Sequence, residues 1–258
     1  MADAITEALK RQGWTAIPFP NSSFRLLTLI FERSGARGHS NDFEYLAPGI
    51  AGRLTVEDID QVPDISGERS QTRDVSLGLS ILSGLISALG GGTLGLKAGF
   101  KNADKVTMTY SGLSAQAISP VALQQSISSV PLPAGGLLRD WLDDNLYVAS
   151  AVLSARKISI EAAKSSGQEA GLDVPVISGA VGGNVKVTAG NEAKSKVIFE
   201  SDRPAPIALQ LYKVSKAKTG AVQNLTLATV KQGAIQIMTA DKKDTLPGPV
   251  VLDWHPEQ

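Results

Sequence analysis

Apolar and polar residues alternate with a period of two through the middle of the chain. Between Leu94 and Tyr110 seven apolar residues fall on even positions, which is typical of a β-strand whose two faces differ. The opposite face is small and polar, and it carries Lys97, Lys101 and Lys105. The pattern predicts one extended ribbon whose apolar face consists of Leu94, Leu96, Ala98, Phe100, Val106, Met108 and Tyr110.

The segment before this ribbon fits two kinds of secondary structure. Residues 75–81 alternate as in a strand, whereas apolar residues from Leu77 to Leu89 also recur at helical spacing. No residue from Val75 to Leu96 is charged, but half of them are Gly, Ser or Thr, so the segment is too polar for a transmembrane helix. The sequence therefore predicts a segment that is compatible with both helix and strand.

A second pair of alternating segments follows in the C-terminal half of the chain. Ile158, Ile160 and Ala162 alternate with polar residues, and a polar turn is predicted near residues 165–167. Beyond that turn the spacing of two continues, with Val174 and Val176 on even positions and Val185, Val187, Ala189, Val197 and Phe199 on odd positions. The chain thus contains two separate pairs of long alternating segments, at residues 75–110 and 156–199.

The remaining sequence predicts ordinary helices and strands. Capping residues and helical spacing predict helices at residues 3–12, 121–130 and 137–148. Apolar runs predict strands at residues 14–19, 24–31, 53–59, 207–214 and 225–238, and the proline-bearing tail from Thr239 is predicted to be irregular. Because strands and helices come in blocks without regular β-α-β alternation, the fold class is predicted to be α+β.

Composition narrows the chemistry that the chain could perform. Its 258 residues include 25 basic and 25 acidic side chains, so there is no basic excess to favour a nucleic-acid partner. Cysteine is absent, which removes disulfides, thiolate nucleophiles and cysteine-built zinc sites, and the two histidines are His39 and His255. We therefore expect no catalytic residue, no metal and no cofactor, and hence no enzyme.

Three functional interpretations stay open on the residues alone. Gly90, Gly92 and Gly95 match a dinucleotide fingerprint, but an alternating segment follows them where that fingerprint needs a helix. An antiparallel sheet with one solvated face would suit a protein-binding scaffold. The alternating segments would also suit membrane-spanning β-hairpins, provided that many copies pair their backbones in a closed ring, because hydrocarbon leaves no other partner for backbone groups.

Several stretches resemble the compact gasdermins of bacteria. The stretch from Val75 to Phe100 resembles the region of their first membrane-inserting hairpin, and Leu9–Trp14 resembles their N-terminal helix and turn. Asp140–Ser154 and Val174–Val187 resemble the segments around their second hairpin. The similarity extends over about residues 5–215 and consists of an ordered set of short matches.

The resemblance implies a fold, an activity and partners. It implies a twisted, mostly antiparallel sheet with surrounding helices, in a soluble monomer that is autoinhibited. Such proteins assemble into large rings, extend two hairpins per subunit and perforate a membrane, often one rich in acidic lipids, which kills the cell and can serve antiphage defence. The resemblance therefore implies a pore-forming domain at residues 1–220 and a short autoinhibitory tail at residues 221–258.

The resemblance also assigns roles to residues. A caspase-like or related protease removes the tail in bacterial members, and Lys242, Lys243 and Asp244 form the candidate cleavage region. Lys97, Lys101 and Lys105 would contact acidic lipid head groups or line the lumen. The first inserting hairpin would use Val75, Leu77, Leu79, Ile81, Leu82, Leu85, Leu94, Leu96, Phe100, Val106 and Met108. The second would use Ile158, Ile160, Ala162, Val174, Val176, Val185, Val187 and Val197.

One departure from the family pattern leaves the trigger open. Bacterial members typically carry a palmitoylated cysteine near the N-terminus, and this sequence has none. Fungal gasdermin-like proteins of similar size act in allorecognition, and an incompatible partner variant activates them without cleavage. The N-terminal residues show no basic stretch followed by an apolar one, so no secretory signal is predicted. We expect a cytoplasmic protein when inactive and one at the inner (plasma) membrane when active.

Overall fold

The computed structural model describes residues 9–17, 22–33, 36–41, 43–46, 49–59, 71–128, 130, 140, 142, 145–219, 222–227 and 249–252. Over these residues ten strands form one sheet in which every pairing is antiparallel. The strands are β1 (Thr15–Ala16), β2 (Leu29–Arg33), β3 (Ala36–Ser40), β4 (Val56–Ile59), β5 (Gln71–Asp74), β6 (Lys105–Ile118), β7 (Asn145–Ala163), β8 (Lys186–Ala189), β9 (Lys196–Thr219) and β10 (Val222–Leu227). This sheet with its few helices confirms the predicted α+β class.

Four α-helices and two 3-10 helices lie between the described strands. The α-helices are α1 (Phe43–Leu46), α2 (Val75–Ala88), α3 (Pro120–Ser128) and α4 (Val174–Val181). The 3-10 helices are Ala51–Arg53 and Leu96–Phe100, and residues 9–11 are also helical. The helix predicted at residues 121–130 is therefore confirmed as α3, and the strand predicted at residues 207–214 is confirmed within β9.

Two long central strands, β7 and β9, organise the sheet. They pair along most of their length, β2 borders the first part of β7, and β6 borders its second part. Every residue from Leu146 to Leu153 is buried, because this part of β7 is covered on both faces. That double burial explains why the sequence prediction of a helix over residues 137–148 was wrong beyond Asn145: a strand buried on both faces has a continuous apolar run rather than an alternating one.

Two alternating stretches are not strands in this structure. Residues 94–100 were predicted to be extended, but Gly95 takes a φ of 84° and residues 96–100 turn into a 3-10 helix. Val174 and Val176 were also placed in an extended segment, but they lie in α4. There the Asp173 carboxylate accepts a 3.2 Å hydrogen bond from the Val176 N–H, which is a helix N-cap that overrides two alternating valines.

Candidate membrane-inserting segments

The first candidate segment, region 1 (residues 75–110), folds as a helix, a glycine turn, a 3-10 helix and the start of β6. Helix α2 lies against β6 and β9, and Leu82, Leu85 and Ile86 on its inner face are at most 1% exposed. The backbone of Val75 and Leu77 belongs to this helix. Eight of the predicted hairpin residues of region 1 are buried in this structure: Leu79, Ile81, Leu82, Leu85, Leu96, Phe100, Val106 and Met108.

The second candidate segment, region 2 (residues 156–199), shares the core of region 1. It consists of the end of β7, helix α4, strand β8 and the start of β9. Val174 and Val187 are half-buried and Val176 is 40% exposed. The other predicted hairpin residues of region 2, Ile158, Ile160, Ala162, Val185 and Val197, are buried in the same hydrophobic cluster as α2. The structure thus brings most of both predicted sets together in one core.

Helix α4 sits directly on the 3-10 helix of region 1. Gly99 faces Ile177 so closely that a Cβ atom at position 99 would overlap the Ile177 side chain. The Gly99 carbonyl also accepts a 3.1 Å hydrogen bond from the Asp173 N–H at the start of α4. Only glycine permits this approach, so region 1 and region 2 are fitted to each other at this point.

The glycine turn after α2 makes a second connection between the regions. The Gly92 N–H donates a 2.7 Å hydrogen bond to the Val181 carbonyl, and the Asn184 amide donates to the Gly90 carbonyl at 3.1 Å. The Ser201 hydroxyl donates to the Leu89 carbonyl at 3.1 Å. The end of α2 is therefore held by groups from α4 and β9, and region 1 cannot leave the sheet without breaking contacts to region 2.

Enlarging Gly99 is expected to weaken this fit. We expect Gly99→Ala to lower the free energy of unfolding by about 1–3 kcal/mol, because the added methyl group overpacks against Ile177. Gly179→Ala is the matched control, since Gly179 lies within α4 and has open space around it. That control should be neutral or stabilising, because alanine is the better helix former. Urea unfolding of both variants measures the difference, and equal stability of Gly99→Ala and wild type would contradict the fit.

A polar contact joins the two regions at their other end. The Asp104 carboxylate, just before β6, accepts hydrogen bonds from the Ser165 N–H at 2.8 Å and from the Ser165 hydroxyl at 3.0 Å. Ser165 lies in the turn that follows β7. These hydrogen bonds, and then the nearby charges of Lys164 and Lys105, lower the pKa of Asp104 below its ordinary value of 3.8.

The lowered pKa of Asp104 gives its contact with Ser165 a pH dependence. A carboxyl group whose pKa is lowered by folding stabilises the fold above its unfolded pKa, and this contribution is lost as the pH falls through the folded pKa. We therefore expect Asp104→Asn to lower the Tm at neutral pH and to match wild type in acid below the folded pKa. Thermal unfolding across this pH range measures the effect, with the exposed Glu192→Gln as control. A Tm difference that persists unchanged in acid would contradict it.

The three candidate lysines of region 1 do not share one strand face here. Lys97 lies in the 3-10 helix, Lys101 in the turn after it and Lys105 at the start of β6. The prediction of a single polar ribbon face was therefore wrong for this fold. The three lysines do not share a face because residues 96–100 form a 3-10 helix rather than a strand. All three side chains are exposed, so they are open to a charged partner in the resting protein.

A C-terminal segment docks on β9 between the positions where β1 and β10 pair with that strand. Val250 forms an antiparallel bridge with Leu211 of β9, and Leu252 joins a buried cluster with Ile17 and Leu209. The buried Thr15 hydroxyl accepts a 3.1 Å hydrogen bond from the Leu252 N–H and lies 3.4 Å from the Val250 carbonyl. The sequence did not predict this contact, because a single threonine in a two-residue strand forms no periodic pattern or motif that would indicate a partner. Lys242, Lys243 and Asp244 lie outside the described residues.

The described residues contain no group of three His, Asp or Glu side chains that could hold a metal ion. Their helices are also too short or too polar to cross a bilayer. The arrangement is one of apolar and small residues packed in a shared core, with charges at its surface.

Comparisons with known proteins agree with this arrangement. A family model described as the Bacterial Gasdermin Family matches residues 17–221. A gasdermin bGSDM of Lysobacter enzymogenes is 32% identical over 214 residues, which is 81% of this chain and 79% of the relative. A gasdermin bGSDM of a Vitiosangium strain is 26% identical over 238 residues, 91% of this chain and 88% of the relative. A solved bacterial gasdermin from Bradyrhizobium tropiciagri has the same fold, with a TM-score of 0.60 and 17% identity over 88% of this chain and 92% of that one.

Proposed function

Because this chain belongs to the bacterial gasdermin family, whose members are pore-forming proteins, we propose that it perforates membranes as a ring of many copies after its C-terminal restraint is released. In this proposal the chain rests in the cytoplasm and acts at the inner (plasma) membrane. The resulting loss of the membrane barrier kills the cell and serves as a defence against phage.

Helix α2 is the observation that carries this proposal. Its apolar residues from Leu79 to Ala88 are buried on the sheet, yet residues 75–81 also alternate as a strand needs. Its glycines and serines lower the helix propensity of the segment, since both residues favour helix less than alanine does. The same residues could therefore refold as one arm of a hairpin with an apolar face toward lipid.

Refolding of this kind needs backbone partners at every step. Hydrocarbon offers no hydrogen bonds, so a single pair of hairpins would leave two open edges in the membrane. A ring of copies removes those edges, because each subunit's hairpins pair with those of its neighbours. Lys97, Lys101 and Lys105 would then meet acidic head groups or the aqueous lumen.

The docked C-terminal segment supports a restraint within residues 221–258. Val250 pairs with Leu211 of β9 and Leu252 is buried beside β1, so these residues tie the tail to the pore-forming part. Cleavage in the region of Lys242, Lys243 and Asp244 by a caspase-like protease would free this segment. A partner variant that displaces the segment without cleavage is the other trigger that we consider.

Dye release from liposomes tests the proposed function. Vesicles of phosphatidylcholine and phosphatidylglycerol are loaded with a self-quenching dye and mixed with the full-length protein or with a protein ending near residue 240. We expect the full-length protein to be inert and the truncated protein to release the dye. If neither that truncation nor neighbouring ones release dye, the restrained-pore proposal fails, and the protein-binding scaffold becomes the better account.

A further inference from the structure

Strands β7 and β9 separate at a fork in region 2. The paired register of the two strands ends with Glu161 opposite Lys196. The Ala162 N–H then donates a 2.8 Å hydrogen bond to the Ser195 carbonyl. Past Ala162 the chain turns back on itself, since the Ala170 N–H donates to the Ala162 carbonyl at 3.0 Å. On the other side, the chain reaches Ser195 from β8, which pairs with the opposite edge of β9. The β7–β9 ladder therefore ends where two loops meet.

Three polar side chains fasten these two loops together. Ser195 is buried, and its hydroxyl donates a 2.8 Å hydrogen bond to the Glu169 carboxylate in the loop after β7. The same hydroxyl accepts a 2.7 Å hydrogen bond from the Asn191 amide in the loop before β9. The Asn191 side-chain oxygen also accepts from the backbone N–H groups of Ser195 and Lys196, at 3.0 and 3.2 Å. We call Glu169, Asn191 and Ser195 the fork cluster.

The loop before β9 is held in a strained conformation. Lys194 takes a φ of 52°, in the left-handed region that a lysine rarely adopts. Its N–H donates to the Asn191 carbonyl at 3.2 Å, and its carbonyl accepts a 2.9 Å hydrogen bond from the Leu172 N–H. These hydrogen bonds and the fork cluster maintain the strain, so that loss of the cluster lets the loop relax.

The sequence on both sides of the fork is suited to a longer ladder. If the observed register continued beyond Ser195, Ala170 would lie opposite Val187 and Leu172 would lie opposite Val185. Both pairs would fall on the face that the buried apolar residues at the end of β7 occupy, because each lies an even number of positions further along. A ladder extended in this way is the hairpin that region 2 forms in the proposed pore. The fork cluster holds both loops out of it.

We propose that the fork cluster is a latch that keeps region 2 folded after the C-terminal restraint is released. Its opening sets the rate at which the β7–β9 ladder lengthens into a membrane hairpin. This inference rests on the proposed function and adds a second point of control to it. Opening breaks the two hydrogen bonds of the Ser195 hydroxyl and removes the Asn191 side chain from the start of β9. The backbone hydrogen bond between Ala162 and Ser195 stays, and the ladder grows from it.

Rates of dye release by the truncated protein test the latch, at vesicle concentrations that bind all of the protein. We expect Ser195→Ala to release dye about ten-fold faster, because its hydroxyl bonds both to a charged carboxylate and to an amide. Lys194→Gly should release dye about three-fold more slowly, since glycine adopts the positive φ without strain and favours a strand less than lysine does.

Gln124→Ala is the matched control for these rates. The Gln124 side chain accepts a 2.6 Å hydrogen bond from the Leu227 N–H of β10, outside regions 1 and 2. Its loss should lower the Tm of the truncated protein without changing the rate of dye release. The control thus separates a latch from a general contribution to stability.

Hydrogen exchange in the full-length protein tests the latch without a membrane. The Leu172 amide, which bonds to the Lys194 carbonyl, should exchange about ten-fold faster in Ser195→Ala, more slowly in Lys194→Gly and as in wild type in Gln124→Ala. Unchanged exchange in Ser195→Ala and Lys194→Gly would overturn the latch. So would a truncated Ser195→Ala protein that releases dye no faster than truncated Gln124→Ala, whatever its Tm. Absence of dye release by every truncated variant overturns the proposed function instead, and exchange at Leu172 then still decides whether the fork cluster holds region 2.

Discussion

Replacing Leu252 by alanine is expected to make the full-length protein release dye from anionic vesicles without any cleavage. Leu252 is 8% exposed and belongs to the cluster that joins the C-terminal segment to β1 and β9. Truncation of a buried leucine costs about 2–5 kcal/mol. Because the lost contacts are those between the tail and the sheet, this cost falls on tail docking, and 2 kcal/mol raises the undocked fraction about thirty-fold.

The neighbouring residue supplies the control. Val251 is half-buried and is absent from the described hydrophobic clusters, so Val251→Ala should leave the full-length protein nearly inert. Thr15→Val provides an independent route to the same release, since it removes the hydroxyl that accepts from the Leu252 N–H. Inert behaviour of both Leu252→Ala and Thr15→Val, beside a truncated protein that leaks, would show that this contact is not the restraint.

Hydrophobic periodicity predicted the end of β7 and the helix of region 1. Ile158, Ile160 and Ala162 alternate because the end of β7 has one apolar and one polar face, and the structure places the three apolar side chains in the core. Residues 77–89 also satisfy a helical period, and helix is the state that the resting fold uses. The two predictions are correct because the strand period at the end of β7 and the helical period of residues 77–89 each reflect which side chains are buried.

Periodicity failed where tertiary contacts or glycines decide the backbone. A 3-10 helix begins at Leu96, although the alternating residues on either side of Leu96 favour a strand. The Asp173 cap starts a helix across Val174 and Val176. The covering of β7 on both faces removes the alternation that would have indicated a strand near Leu146, where a helix was predicted. In the first two cases a neighbouring residue, Gly95 or Asp173, decides the backbone, and in the third the deciding partners lie elsewhere in the fold.

The contacts between regions 1 and 2 could not be read from the sequence at all. Gly99 and Ile177 are far apart in the chain, as are Asp104 and Ser165, and neither pair belongs to a recognisable motif. These contacts nevertheless bear on how the two regions would leave the fold. Because α4 and the turn after β7 hold region 1, we expect the two regions to leave the resting fold together rather than one after the other.

We propose that α2 must leave the sheet before a pore forms. An engineered disulfide between positions 78 and 106 would forbid that movement. An ideal Cβ atom at Gly78 lies 3.5 Å from the Val106 Cβ, within the range of about 3.5–4.5 Å that disulfides require. Replacing Val106 also removes the methyl group that would overlap a side chain at position 78. The sequence has no cysteine of its own, so no other disulfide competes.

Dye release by the truncated protein carrying Gly78→Cys and Val106→Cys, measured before and after reduction, is therefore the most direct test. The reduced protein is the matched control, since it differs from the oxidised one by a single bond. We predict that the oxidised protein binds vesicles but releases no dye, and that adding a reductant to the same sample starts release. Equal dye release by the oxidised and reduced proteins would contradict the claim, because a pore would then form with α2 still fastened to β6.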